Sequence, residues 1–93
     1  MHGMIVEVEF ADDPDDTARK LLNEFTIPTV KAQPGFVRGV WMRNADRSEG
    51  RGVVLFETEE QAKATAELAR QGPPEGAPLK IRSVEVFEVV AEA

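Results

Sequence analysis

Trp41 and Arg43 stand two residues apart in FVRGVWMR (36–43), and Phe56 sits near the end of the next apolar run, RGVVLFE (51–57). Residues two apart on a strand share a face. An aromatic wall beside a guanidinium can hold an aromatic acid or another anionic ligand, by stacking and by paired N–H···O bonds. The competing reading is plain packing: a Trp in a core or interface whose indole N–H finds a carbonyl, with Arg43 at a sheet edge. Trp41, Arg43 and Phe56 are the candidate ligand-binding residues, and the residues give no catalytic assignment.

The other polar residues have structural readings. Glu7 and Glu9 share a face and could act as a base if burial raised a pKa, but no nucleophile stands near them, and ion pairs with strand arginines are the simpler reading. Ser48 and Ser83 have no activating His. The only His is His2, at a terminus expected to be mobile. Asp12, Asp13, Asp15 and Asp16 cluster in ADDPDD, but no calcium-loop glycine and distal Glu follow, so the cluster reads as helix capping and no metal is assigned. Gly50 and Gly52 read as a turn before a strand, not as a phosphate cradle.

The totals narrow the function classes. Ninety-three residues make one domain, 1–93, with a marginal core for a lone monomer. The absence of cysteine removes disulfides and thiolate chemistry, and a small fold without staples fits the cytoplasm better than secretion. A net charge of −6 argues against nucleic acid and anionic membranes as partners. No apolar run reaches the roughly 20 residues of a membrane span, and the N-terminus has no signal-peptide pattern.

The elements that would position these residues follow from periodicity. Residues 4–10 alternate, with Met4, Val6, Val8 and Phe10 on one face and Ile5, Glu7 and Glu9 on the other, as a strand does. Asp13 and Pro14 suit a helix start, and Ala18, Leu21, Leu22 and Phe25 give that helix an apolar stripe. Pro28 is expected to kink or stop it, with a short turn resuming through Val30 to Ala32. Strands at 36–43 and 51–57 flank the polar connection NADRSEG. TEEQ (58–61) is a capping box opening a second helix to about Arg70, whose buried side is Ala62, Thr65, Ala66 and Ala69. Gly72 and Pro73-Pro74 end it, and residues 79–93 read as a fourth strand with a frayed end. The β-α-β-β-α-β order fits a ferredoxin-like α+β sandwich: a four-stranded antiparallel sheet with both helices on one face.

Strands two to four carry apolar side chains on both faces. A sheet with one wet face should alternate apolar with polar. The simplest partner for the second face is another copy of the chain, packed sheet on sheet as a homodimer. Glu7 and Glu9 would then meet Arg38, Arg43 or Arg82, or stay wet.

The element order, the length, PGF leading into strand two and FETEEQAKA leading into helix two resemble the dimeric α+β barrel superfamily, within it the antibiotic biosynthesis monooxygenase-like family. That resemblance implies a homodimeric barrel and a pocket between helices and sheet. It also implies one of several activities: cofactor-independent oxygenation of aromatic polyketides, haem degradation, or none known. The chain departs from the family pattern: Phe56 stands where a Trp is frequent, the second helix has no His, and the chain has no Tyr. The first reading is therefore a small-ligand-binding homodimer without cofactor, whether or not it is an enzyme. The alternatives are a cofactor-independent monooxygenase acting on an aromatic polyketide-like substrate and a structural dimerisation module. RGVVLFET also looks like the core of an RNA-recognition motif, but the positions that would need base-stacking aromatics are Val53 and Leu55.

Overall fold

A computed structural model describes residues 1–93. The elements are β1 (His2–Phe10), α1 (Thr17–Leu21), a π-helical segment (Leu22–Thr26), α2 (Ile27–Lys31), β2 (Phe36–Arg43), β3 (Glu49–Phe56), α3 (Glu59–Arg70) and β4 (Leu79–Glu88). The sheet order is β2-β3-β1-β4, with every pair antiparallel. The fold is the expected ferredoxin-like α+β sandwich. No helix is long and apolar enough to cross a membrane.

The pleat sorts the strands into two faces. On the inner face Met4 pairs with Val54 and Val86, Val6 with Val84 and Gly52, and Phe36 with Phe56. Met4, Val54, Phe56 and Val84 join Val30, Ala62 and Ala66 in one small core. Phe36 meets Phe56 edge-on, centroids 6.5 Å apart, a favoured aromatic geometry. Ala62 and Ala66 are fully buried. Their small side chains let α3 lie close on β1 and β4. Arg70 ties the end of α3 to β4, donating to the Val84 carbonyl at 2.9 Å.

The start of the first helix differs from the sequence expectation. Asp13 does not cap from the adjacent position. Its carboxylate reaches forward to accept from the Thr17 and Ala18 amides at 2.9 and 2.8 Å. This fills two of the amide donors that every helix start leaves open, and the Ala18 amide is the main cause holding the Asp13 carboxyl below its ordinary pKa. The chain reverses through Asp16, at φ 53°, so Pro14 lies outside the helix. Pro28 does not stop the rod either. The Ile27 amide donates to the Leu22 carbonyl, a five-residue step that widens the turn just before the proline. The Thr29 hydroxyl then bonds the Phe25 carbonyl at 2.8 Å.

The capping box forms as read, with Thr58 and Gln61 bonding each other's backbone amides. It is joined physically to the PGF turn. Gly35 has φ 79°, and a Cβ there would fall 1.8 Å from Gln61 Oε1. The Glu57 amide donates to the Gly35 carbonyl at 3.0 Å. Two separate sequence motifs thus form one junction between α2–β2 and β3–α3.

The outer face carries Ile5, Val53, Leu55, Val40, Met42 and Phe87 towards one end, with Val40, Met42 and Phe87 about half exposed. Its other end is ionic. Glu7 pairs with Arg51 at 3.4 Å, and Arg82 bridges Glu9 and Glu49. Arg82 was one of the expected partners for these glutamates, whereas Arg51 was not.

Candidate functional site

α3 lies on the sheet and α2 touches β2, but α1 and the π segment stand off from the strands. The gap is a cavity of about 400 Å³, between the inner sheet face and the helices, within the size range of small-molecule sites. Its roof is Leu21, Leu22 and Phe25, and its floor includes Met4, Val6 and Trp41. Because the cavity lies where a core would otherwise be, α1 buries only Ala18, and the π segment buries nothing and leaves Phe25 42% exposed.

Trp41 is seated by two glycines. It pairs with Gly52 across β2–β3. A Cβ at Gly52 would sit 2.8 Å from the indole Cδ1 and Nε1, and one at Gly39 would sit 2.7 Å from Cη2. The ring therefore lies flat over two positions that have no side chain, the close approach for which strand glycines are used. Gly50 does the same for Phe10, at 2.8 Å. Gly50 and Gly52 are thus inner-face residues of β3, not turn residues as the sequence suggested. Trp41 also borders a second groove, along β2 beside Leu22 and Ile27.

Arg43 is on the same face, two residues beyond Trp41, and lines the cavity. Its guanidinium forks onto Asp16, with Nη1–Oδ1 at 3.1 Å and Nη2–Oδ2 at 3.5 Å. Arg47 reaches the same carboxylate at 2.9 Å and Arg19 at 3.4 Å. The Arg43 hydrogen bonds, followed by the charges of Arg43, Arg47 and Arg19, hold the Asp16 carboxyl below its ordinary value despite partial burial. Asp16 was read in sequence as part of a helix-capping cluster. It is instead the counterion of an arginine cluster at the cavity's edge.

The structure brings Trp41 and Arg43 together and places Phe56 elsewhere. Phe56 is fully buried in the core against Phe36 and is not among the residues that line the cavity. His2 is not a mobile terminal residue. It belongs to β1, its Nε2 lies 3.1 Å from Glu59, and its Nδ1 is buried without a hydrogen-bond partner. No group of three or more His, Cys, Asp or Glu residues is placed to hold a metal. The cavity wall contains no His, Cys, Tyr, Asp or Glu, so its chemistry is apolar contact, the indole, threonine hydroxyls and guanidinium groups.

This helix-roofed cavity over an antiparallel sheet belongs to a ferredoxin-like α+β domain. No family model and no curated protein matches the chain. Among solved structures, it is similar over 100% of its length to MhuD, a haem-degrader from Mycobacterium tuberculosis solved with two haems in its active site, at 22% identity, covering 99% of that chain with a TM-score of 0.66. Rv0793 from the same organism is 15% identical over 100% of this chain and 99% of its own, with a TM-score of 0.65. ActVA-Orf6, a monooxygenase of Streptomyces coelicolor in complex with nanaomycin D, is 13% identical over 98% of this chain and 89% of its own, with a TM-score of 0.56. The resemblance to the antibiotic biosynthesis monooxygenase-like barrels therefore holds in the fold. The fold is also that of the second RRM domain of yeast Pub1, with a TM-score of 0.53, but here the outer-face β3 positions Val53 and Leu55 offer no ring for base stacking.

Proposed function

We propose that this protein is a small-ligand-binding homodimer of the dimeric α+β barrel type, acting in the cytoplasm, with one ligand held in the cavity of each subunit. The observation that carries this reading is the cavity of about 400 Å³ with Trp41 laid flat on Gly39 and Gly52 as part of its floor. An indole face in an apolar pocket suits a flat aromatic or polycyclic ligand. Trp41 and Arg43 are its proposed contacts, and Phe56 supports the floor from the core. The haems of MhuD and the nanaomycin of ActVA-Orf6 are flat polycycles of this kind. The half-exposed Val40, Met42 and Phe87 supply the sheet-on-sheet contact of the dimer.

Fluorescence of the single Trp tests the cavity. Titration with the neutral probe N-phenyl-2-naphthylamine should quench Trp41 saturably, and Ala69→Leu, which fills the cavity wall, should abolish the effect. Absence of saturable quenching in the wild type would sink the reading. The alternative is a cofactor-independent monooxygenase whose aromatic substrate itself activates oxygen. The cavity offers no acid–base residue, which favours binding without chemistry. Oxygen uptake with an anthrone above its spontaneous rate, lost in a dimeric Trp41→Ala variant, would reverse that order.

A further inference from the structure

One corner of the cavity gathers more positive than negative charge, whereas Arg51, which also lines the cavity, is paired with Glu7. Arg19, Arg43 and Arg47 all converge on the single carboxylate of Asp16. Asp13, close enough to feel the charge of Asp16, has both carboxylate oxygens engaged by the Thr17 and Ala18 amides. Asp12 and Asp15 are exposed. Two of the three arginines, Arg19 and Arg43, line the cavity itself. A guanidinium has five N–H donors in a fixed fork, and Arg43 commits two of them to Asp16. A chain of net charge −6 thus gathers three arginines on one carboxylate at the edge of an apolar cavity.

We infer that the ligand is an amphipathic acid: a flat apolar body on Trp41 carrying one anionic group, received by Arg43 and Arg19 beside Asp16. This rests on the cavity being the ligand site. The spacing follows from the strand. Trp41 and Arg43 are i and i+2 on β2, so the anionic group lies about 6–7 Å from the centre of the apolar body. Single-ring acids such as benzoate are too short for that separation, and fused-ring or chain-extended acids reach it. Asp16 acts as a placeholder that keeps the guanidinium fork oriented and limits affinity for the incoming anion.

The test compares two probes with one apolar body, 2-anilinonaphthalene-6-sulfonate and its neutral parent N-phenyl-2-naphthylamine, both read by quenching of Trp41. The sulfonate should bind about tenfold more tightly, the scale of a partly exposed charge-assisted hydrogen-bond pair, and salt should weaken only the sulfonate. Arg43→Gln should erase the preference for the sulfonate over the neutral probe. Arg19 is exposed and at little risk of unfolding the chain, so Arg19→Gln should reduce the preference in a variant certain to be assayable. Asp16→Asn should tighten the sulfonate several-fold, whereas a purely structural cluster would give no such gain. Equal affinity for the two probes in the wild type, or a preference that survives both arginine variants, overturns the inference and leaves the cavity reading standing. Failure of both probes to quench Trp41 overturns both.

Discussion

Substitution of Gly52 by Ala probes how the sheet floor was made. The added Cβ would meet the Trp41 indole at 2.8 Å, whereas carbon contacts are comfortable at about 3.5–4.0 Å. One edge of the ring must therefore rise by roughly 1 Å while Gly39 holds the other. Overpacking of this kind costs about 1–3 kcal/mol. Replacing a strand glycine returns about 0.5–1 kcal/mol by restricting the unfolded chain. The net expectation is a loss of about 1–2 kcal/mol, or a fall in Tm on the order of 5–15 °C for a domain of this size. Urea denaturation of a double-mutant cycle isolates the cause. In a Trp41→Ala background nothing remains for the Cβ to strike, so Gly52→Ala should become stabilising by about 0.5–1 kcal/mol. An equal loss in both backgrounds would refute the argument that Gly52 exists to seat Trp41.

Two further expectations concern the first helix. Asp16 is held below its ordinary value of 3.8 chiefly by Arg43, so its contribution is complete above that value and is lost as pH falls through the lower folded value. Asp16→Asn should be less stable than wild type near neutrality, and the gap should close as pH drops below 3.8. A gap that persists under acid would show that charge is not its source. Pro28→Ala should change stability by less than about 1 kcal/mol, against about 3 for a proline in an ordinary helix interior, because the π segment already accommodates the missing donor. Stabilisation near the larger figure in chemical denaturation would refute that account.

The elements governed by local rules were legible in the sequence. Period-two alternation gave β1 and its inner residues Met4 and Val6, and the Thr58–Gln61 pair gave the start of α3. What was not legible depends on register or distance. That Trp41 faces the helices follows from its pairing with Gly52, and the register shifts between Phe36 and Arg38, a slip that no local pattern announces. Gly52 beneath the indole, and Gly50 beneath Phe10, were therefore read as a turn. The Asp16–Arg43 pair joins residues 27 apart, and the left-handed Asp16 that aims it has the composition of an ordinary helix start. His2 was read from its place near the terminus, yet β1 begins there because Phe56 and Glu88 pair with it on either side. The two-residue spacing was enough to put Trp41 and Arg43 on one face. For Arg19, Arg47 and Asp16, nothing short of the folded chain brings them together.

Native mass spectrometry of the purified protein tests the account most directly, because it reads assembly and occupancy together. The expected result is a species of twice the 10.3 kDa chain, carrying on each subunit an adduct that is a flat organic acid and is lost in Trp41→Ala. A clean monomer at micromolar concentration, with no adduct and no uptake of an added polycyclic acid, would contradict it.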